Sequence, residues 1–111
     1  MKRYIGKKKI ARIYIDNQDK FEGKALWEEI LFKAKAYGLS GATVFKGVAG
    51  MGVHSQIRSF SVLTISQILP VVIEIIDDED KIIGFLEEID FMIEEGLTTM
   101  SDTEVITYKH K

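Results

Sequence analysis

The chain has 111 residues, 46% hydrophobic and 29% charged, with a formal net charge of −2, the make-up of one soluble globular domain with a single core. It has no cysteine, which excludes disulfide frameworks, thiolate metal sites and thiol chemistry and makes a reducing cytoplasm the expected setting. The basic stretch MKRYIGKKKIARIYI is interrupted by Arg12 and runs into Asp16, unlike a secretory leader, and no apolar run approaches the roughly 18 residues of a membrane span.

The first element is KIARIYID, 9–16, whose isoleucines and partial alternation predict a strand with Ala11, Ile13 and Ile15 on one face and Ile10, Arg12 and Tyr14 on the other. A polar turn, DNQDKFEG, follows. From about Gly23 to Tyr37 the residues Leu26, Ile30, Ala34 and Tyr37 recur at helical spacing, with Trp27 and Leu31 widening the stripe. Gly38 is placed as a left-handed helix stop, and GATVFKGV reads as a second strand. The second half repeats this order. PVVIEIID, 70–77, opens on Pro70, where a missing backbone donor does least harm, and DDED, 77–80, supplies a helix N-cap and charge against the dipole. Ile82, Leu86, Ile89 and Ile93 form the next stripe, Gly96 is the expected stop, and TTMSDTEVITY is the last strand. Strand-helix-strand twice over predicts an α+β fold: ferredoxin-like βαββαβ, with an antiparallel sheet and both helices on one face.

The halves are joined by 47–69, which opens with KGVAGMGVHSQIRSF (46–60) and continues in strand-like character through Phe60, Val62, Leu63 and Ile65. This predicts a long hairpin between the second and third sheet strands, with its tip near 50–58. An isolated two-stranded arm is marginal in water, so a second subunit is the expected support, and long excursions from compact domains usually serve function. Charge is also divided. Residues 1–73 hold twelve Lys/Arg against five Asp/Glu, and residues 74–111 hold three against twelve. Two solvated faces are the simple reading, and a duplex-binding protein would need a basic face that survives folding. No nucleic-acid partner is expected.

FEGKALWEEILFKAKAYGLSGATVFKGVAGMG, and further on LPVVIEIIDDEDKIIGFLEEI, resemble the nitrogen regulatory PII proteins and, more closely, the PII-like proteins long catalogued as domain of unknown function 190. The resemblance runs over nearly the whole chain and rests on the combination G-K-x-L-W-E, G-L-x-G-A-T-V, G-x-x-G-M-G and L-P-V-V-x-E. It implies a ferredoxin-like subunit in a homotrimer, a small anionic ligand such as an adenine nucleotide in clefts between subunits, and a loop that reports ligand state to an enzyme or membrane-transporter partner. The chain departs from PII at several points. No tyrosine lies between Gly47 and Pro70 to accept a uridylyl group, the Gly-Asp-Gly-Lys turn is replaced by EEGLTTMSDTE, and Val53 and His54 stand where PII carries its metal-holding glutamine.

The candidate ligand-binding residues are Lys46, Gly47, Gly50, Gly52, His54, Arg58, Gly96 and Thr98. Gly47, Gly50 and Gly52 either let backbone N–H groups converge on an anion or only give freedom at a strand end; their spacing is neither a Walker A loop nor a dinucleotide fingerprint. Lys46 is a candidate phosphate contact. Arg58 is either a fork for phosphate or carboxylate oxygens or an exposed loop arginine or intersubunit ion pair. His54 is a phosphate donor, a metal ligand or a solvated side chain, and in a trimer one histidine per chain supplies three. Asp77–Asp80 are read as capping residues, and Trp27 and Tyr37 as packing. No nucleophile-base pair or cofactor loop is visible, and no catalysis or resident cofactor is expected. The expectation is therefore a PII-like trimeric regulator. The alternatives are a divalent-metal-binding trimer with the architecture of the copper-tolerance PII relatives, or a purely structural assembly protein.

Overall fold

The computed structural model describes residues 5–51, 57–59 and 68–110. Its first strand, β1 (Gly6–Asp16), buries Ala11, Ile13 and Ile15 as the alternation requires. Two short strands follow, β2 (Lys20–Phe21) and β3 (Lys24–Ala25), turned by Glu22 (φ 51°) and Gly23 (φ 81°). Consecutive left-handed residues make a primed two-residue hairpin turn, so helix α1 (Leu26–Tyr37) starts three residues later than its apolar period suggests. α1 buries Leu26, Ile30 and Ala34. It ends at Gly38 (φ 90°), where the Gly38 and Leu39 N–H groups donate to Lys35 O and Ala34 O at 3.1 and 3.2 Å, the paired bonds of a Schellman stop.

β4 (Ala42–Lys46) is followed by β5 (Ala49–Met51) and β6 (Ile57–Ser59), which pair only with each other and form a ribbon separate from the main sheet. β5 and β6 lie within the stretch expected to form the long hairpin and are set off from β4 at Gly47–Val48, while residues 52–56 of its expected tip and 60–67 of its returning side, with Phe60, Val62, Leu63 and Ile65, lie outside the described residues. β7 (Pro70–Asp77) leads into α2 (Glu79–Ile89), and a 3-10 turn at Asp90–Met92 precedes β8 (Leu97–Val105). The sheet order is β4-β7-β1-β8, antiparallel throughout, with both helices packed on the face that carries Ala11, Ile13, Ile15, Val71, Ile73 and Ile75. This is the ferredoxin-like α+β arrangement. Fully burying a side chain such as Ile13, Ile73 or Phe85 contributes about 1.5–3 kcal/mol.

Three local expectations are corrected. The buried stripe of α2 is Ile82, Phe85 and Ile89, continued by Met92, whereas Leu86 and Ile93 are half-buried. The helix rolls toward α1 because Gly84 admits Tyr37: a Cβ there would collide with the Tyr37 hydroxyl, and the Tyr37 and Phe85 rings meet edge-on at 5.6 Å. Gly96 is not a helix stop, since α2 ends at Ile89 and the left-handed glycines among the described residues are Gly6, Gly23 and Gly38. Its role is close approach, because a Cβ at Gly96 would sit 2.9 Å from Tyr14 O and 3.2 Å from Ile15 Cγ2. Finally, Asp78 occupies the N-cap position in extended conformation but makes no side-chain cap bond. Its carboxylate instead accepts from Lys8 Nζ at 2.7 Å, while buried Asp77 accepts the Asp78 N–H at 2.7 Å and the Ser40 N–H at 2.8 Å.

Strand order also brings part of the divided charge together. β1, rich in lysine, lies between the two acidic strands, giving the pairs Lys8–Asp78, Lys9–Asp102, Lys9–Glu79 and Arg12–Glu74. Lys8, Lys9 and Arg12 of the basic half are thus paired with acidic residues of the other half. The hydrogen bond between Lys9 and Asp102 raises the lysine pKa and lowers the carboxyl. No helix among the described residues is long and apolar enough to cross a membrane.

Candidate functional site

The candidate residues fall at one end of the sheet. Lys46 is the exposed last residue of β4, opposite Val71, which in turn faces Ile15 of β1. The Gly47 N–H donates to Pro70 O at 2.8 Å, so this amide is engaged within the chain. Gly50 lies in β5 opposite Arg58 of β6. Gly52 and His54 lie outside the described residues, and for Arg58 only the backbone is described. Gly96 and exposed Thr98 belong to the opposite edge, with Thr98 in register with Ile13.

The reason for two of the glycines is visible. A Cβ on Gly47 would lie 2.7 Å from Pro70 Cγ, and one on Gly50 would lie 2.9 Å from the same atom. Neither glycine has a positive φ. They are required by the proline ring, against which the outgoing strand folds, more than by a left-handed backbone. The returning side of the loop is held by Asn17: the Leu69 N–H donates to Asn17 Oδ1 at 3.0 Å and the Asn17 N–H donates to Leu69 O at 2.9 Å. Leu69 is 3% exposed. Pro70, Leu69 and Asn17 thus form a rigid frame at the base of the loop, while Val48, Met51 and Ile57 beyond it are 70% exposed or more.

Pro70 as a packing anchor and Asn17 as a clamp escaped the sequence reading, which used Pro70 only as a tolerated first residue of a strand. The available signals were the Leu-Pro pair closing the loop and an asparagine in DNQDKFEG, a residue type suited to bonding backbone groups in turns.

Two groups of candidates are brought to the same end of the fold but not into contact. Lys46–Gly50 and Gly96–Thr98 stand on opposite edges of a four-stranded sheet, three interstrand spacings or about 14 Å apart. Among the described residues of one chain the two groups are not adjacent. A shallow groove of about 360 Å³ lies elsewhere, on α2, lined by Ile83, Leu86, Glu87 and Asp90. Among the described residues no cluster of three or more His, Asp or Glu is placed to hold a metal ion.

Comparison with known proteins matches this architecture. The family model DUF190, described as "Uncharacterized ACR, COG1993", matches residues 8–105. A UPF0166 protein of Aquifex aeolicus is 47% identical over 102 residues, covering 92% of this chain and 96% of that protein. Another, from Methanocaldococcus jannaschii, is 39% identical over 100 residues, covering 89% and 92%. Among solved structures, CPII from Thiomonas intermedia K12, described as a nitrogen regulatory PII-like protein bound to ADP, AMP and bicarbonate, superposes with a TM-score of 0.65 at 19% identity, covering 89% of this chain and 88% of that one. CPII shares the fold, and the family match over most of the chain with the relatives at 39–47% identity shows that this chain belongs to the DUF190 family.

Proposed function

We propose that the protein is a non-enzymatic, cytoplasmic PII-like regulator, a homotrimer of single-domain subunits that binds a small anionic ligand in the clefts between them. An adenine nucleotide is the leading candidate. The carrying observation is the division of the candidate site between opposite edges at one end of the sheet. A neighbouring copy that brings its β8 edge beside β4 supplies Gly96 and Thr98 to a cleft already holding Lys46 and Gly50, so ligand binding and assembly become one event. In that cleft Lys46 supplies positive charge to a phosphate, Thr98 supplies a hydroxyl, and Gly50 keeps the backbone narrow.

Several features support this reading. The sheet face opposite the helices carries partly exposed apolar side chains, Tyr14, Phe45 and Leu97 among them. CPII, of the same fold, is described as bound to ADP, AMP and bicarbonate. The loop of residues 50–60, bearing exposed Met51 and Ile57 at its ends, is suited to a protein partner, an enzyme or a membrane transporter. Its contacts change with ligand if ligand selects one arrangement of a loop anchored at Pro70 and Asn17. Arg58, Gly52 and His54 are the further contacts proposed from that loop.

Calorimetry and thermal shift with AMP, ADP, ATP and cyclic nucleotides test the proposal, alongside light scattering for subunit number. Binding of at least one nucleotide, weakened by Lys46→Ala and by Thr98→Val, is expected. A monomeric protein, or one silent to every nucleotide, would refute it.

A further inference from the structure

Helix α2 has a side that the core does not use. Ile83, Leu86, Glu87 and Asp90 follow one another at helical spacing and line the shallow groove of about 360 Å³. The other flank of the helix is occupied by α1: Tyr37 approaches Gly84 and meets Phe85 edge-on, and Lys81 Nζ donates to Gly38 O. The groove side is turned toward β8, since Glu79 at its start shares Lys9 with Asp102 of that strand. Ile83 is 38% exposed, and Met100, which the register opposite Ala11 places on the helix-bearing side of β8, is 39% exposed.

The charge around this apolar strip has one sign. Residues 79–95 hold seven Asp/Glu against one lysine, and that residue, Lys81, is bonded to Gly38 O and lies 3.9 Å from Asp77. Glu87 and Asp90 are exposed and make no ion pair among the described residues. Like charges three or four residues apart on a helix repel, and Glu87, Asp90 and Glu94 stand at those spacings, a cost that cations beside the groove would relieve. The same sign turns away nucleic acid and anionic lipid surfaces. It also disfavours a second copy meeting groove to groove, which would set acidic residues against acidic residues, while Lys8, Lys9 and Arg12 are already engaged by carboxylates of their own chain. Apolar side chains at helical spacing flanked by unpaired acids are complementary to a helix that carries the same spacing of apolar residues and the opposite charge.

We infer that the α2 groove is a docking site for a basic amphipathic helix of a partner protein, whose large apolar side chains pack on Ile83 and Leu86 while its Lys or Arg residues pair with Glu87 and Asp90. This surface is separate from the 50–60 loop and rests on neither the nucleotide nor the trimer.

Fluorescence anisotropy at near-physiological salt tests it, with a labelled helical peptide of about 14 residues that has leucines at helical spacing and lysines elsewhere. Saturable binding is expected. It should weaken at least about fivefold in Ile83→Ser and in Glu87→Lys, and by as much when every leucine of the peptide is replaced by lysine. Glu88→Lys makes the same charge change outside the groove and should alter binding less than about twofold, because exposed charges farther away are largely screened. Glu87→Lys, at an exposed position, keeps the test independent of any effect of Ile83→Ser on folding. No saturable binding, equal losses in Glu87→Lys and Glu88→Lys, or equal affinity for the lysine-only peptide would overturn the inference. So would a fall in subunit number on Ile83→Ser in light scattering, which would make the groove a contact between copies.

Discussion

Gly47→Ala tests the frame at the base of the loop most directly. The added Cβ would lie 2.7 Å from Pro70 Cγ, about 1 Å inside the normal carbon-carbon separation. Pro70 has little room to yield. Its ring is closed onto the backbone, Pro70 O accepts the Gly47 N–H, and its strand is paired on both sides in the sheet. Overpacking of this kind costs about 1–3 kcal/mol. Because Gly47 has no positive φ, alanine also restricts the unfolded chain and returns about 0.4–1 kcal/mol, leaving a net loss of about 1–2 kcal/mol. In urea, with a slope of about 2 kcal/mol/M, the unfolding midpoint should fall by roughly 0.5–1 M. Protomer concentration must be held constant, since assembly shifts apparent stability by mass action. Pro70→Ala removes the opposing Cγ, so in that background Gly47→Ala should lose most of its cost, giving a coupling of about 1 kcal/mol or more in a double-mutant cycle. A Gly47→Ala protein as stable as wild type, or one destabilised equally in both backgrounds, would refute the reasoning.

Gly84→Ala should be destabilising although alanine is the better helix former, because its Cβ meets the Tyr37 hydroxyl; with Tyr37→Phe it should become neutral or stabilising, by up to about 1 kcal/mol, as thermal unfolding would record. Asp77→Ala removes the acceptor for the Ser40 and Asp78 N–H groups, and a loss of about 1–3 kcal/mol is expected, with faster hydrogen exchange at both amides. The Lys9–Asp102 bond between β1 and β8 is exposed and screened by salt. The lowered Asp102 carboxyl contributes above its unfolded pKa of about 3.9, and that contribution is lost as acid carries the pH through its folded value. The raised Lys9 contributes below its unfolded pKa of about 10.4 and loses this only as alkali passes its folded value. The Tm gap between wild type and Asp102→Asn should therefore be present at neutral pH and close in strong acid or high salt. A gap unchanged at low pH would contradict the pairing.

Much of the fold was legible because local rules and tertiary packing agree. Alternation in KIARIYID and PVVIEIID marked the faces that carry Ala11, Ile13, Ile73 and Ile75, and Gly38 ended α1 by a backbone conformation that favours glycine. Where readings missed, a distant partner decided the outcome. Leu86 and Ile93 fit the apolar period of α2 as well as Phe85 and Met92 do, and only the approach of Tyr37 over Gly84 selects between them. Gly96 has the spacing of a helix stop, yet its place is set by contact with Tyr14 and Ile15, some 80 residues away along the chain.

The candidate site divides in the same way. The residue types that suit an anion, a lysine at a strand end and glycines in a loop, are properties of the string KGVAGMG, and its identity as a strand ending in a loop followed from composition and period alone. That Gly47 and Gly50 answer to the Pro70 ring, and that Lys46 and Thr98 stand on opposite edges of one sheet, could not be read from spacing, because strand order β4-β7-β1-β8 is a non-local arrangement. The sequence by itself determined the elements, their inward faces and the family, since these depend on neighbours within a few residues or on motifs. Only the tertiary structure decided which strands meet, that acidic β7 and β8 flank basic β1, and that both helices pack on one face of the sheet; such facts depend on pairings across 62–93 positions, whose register no local pattern records.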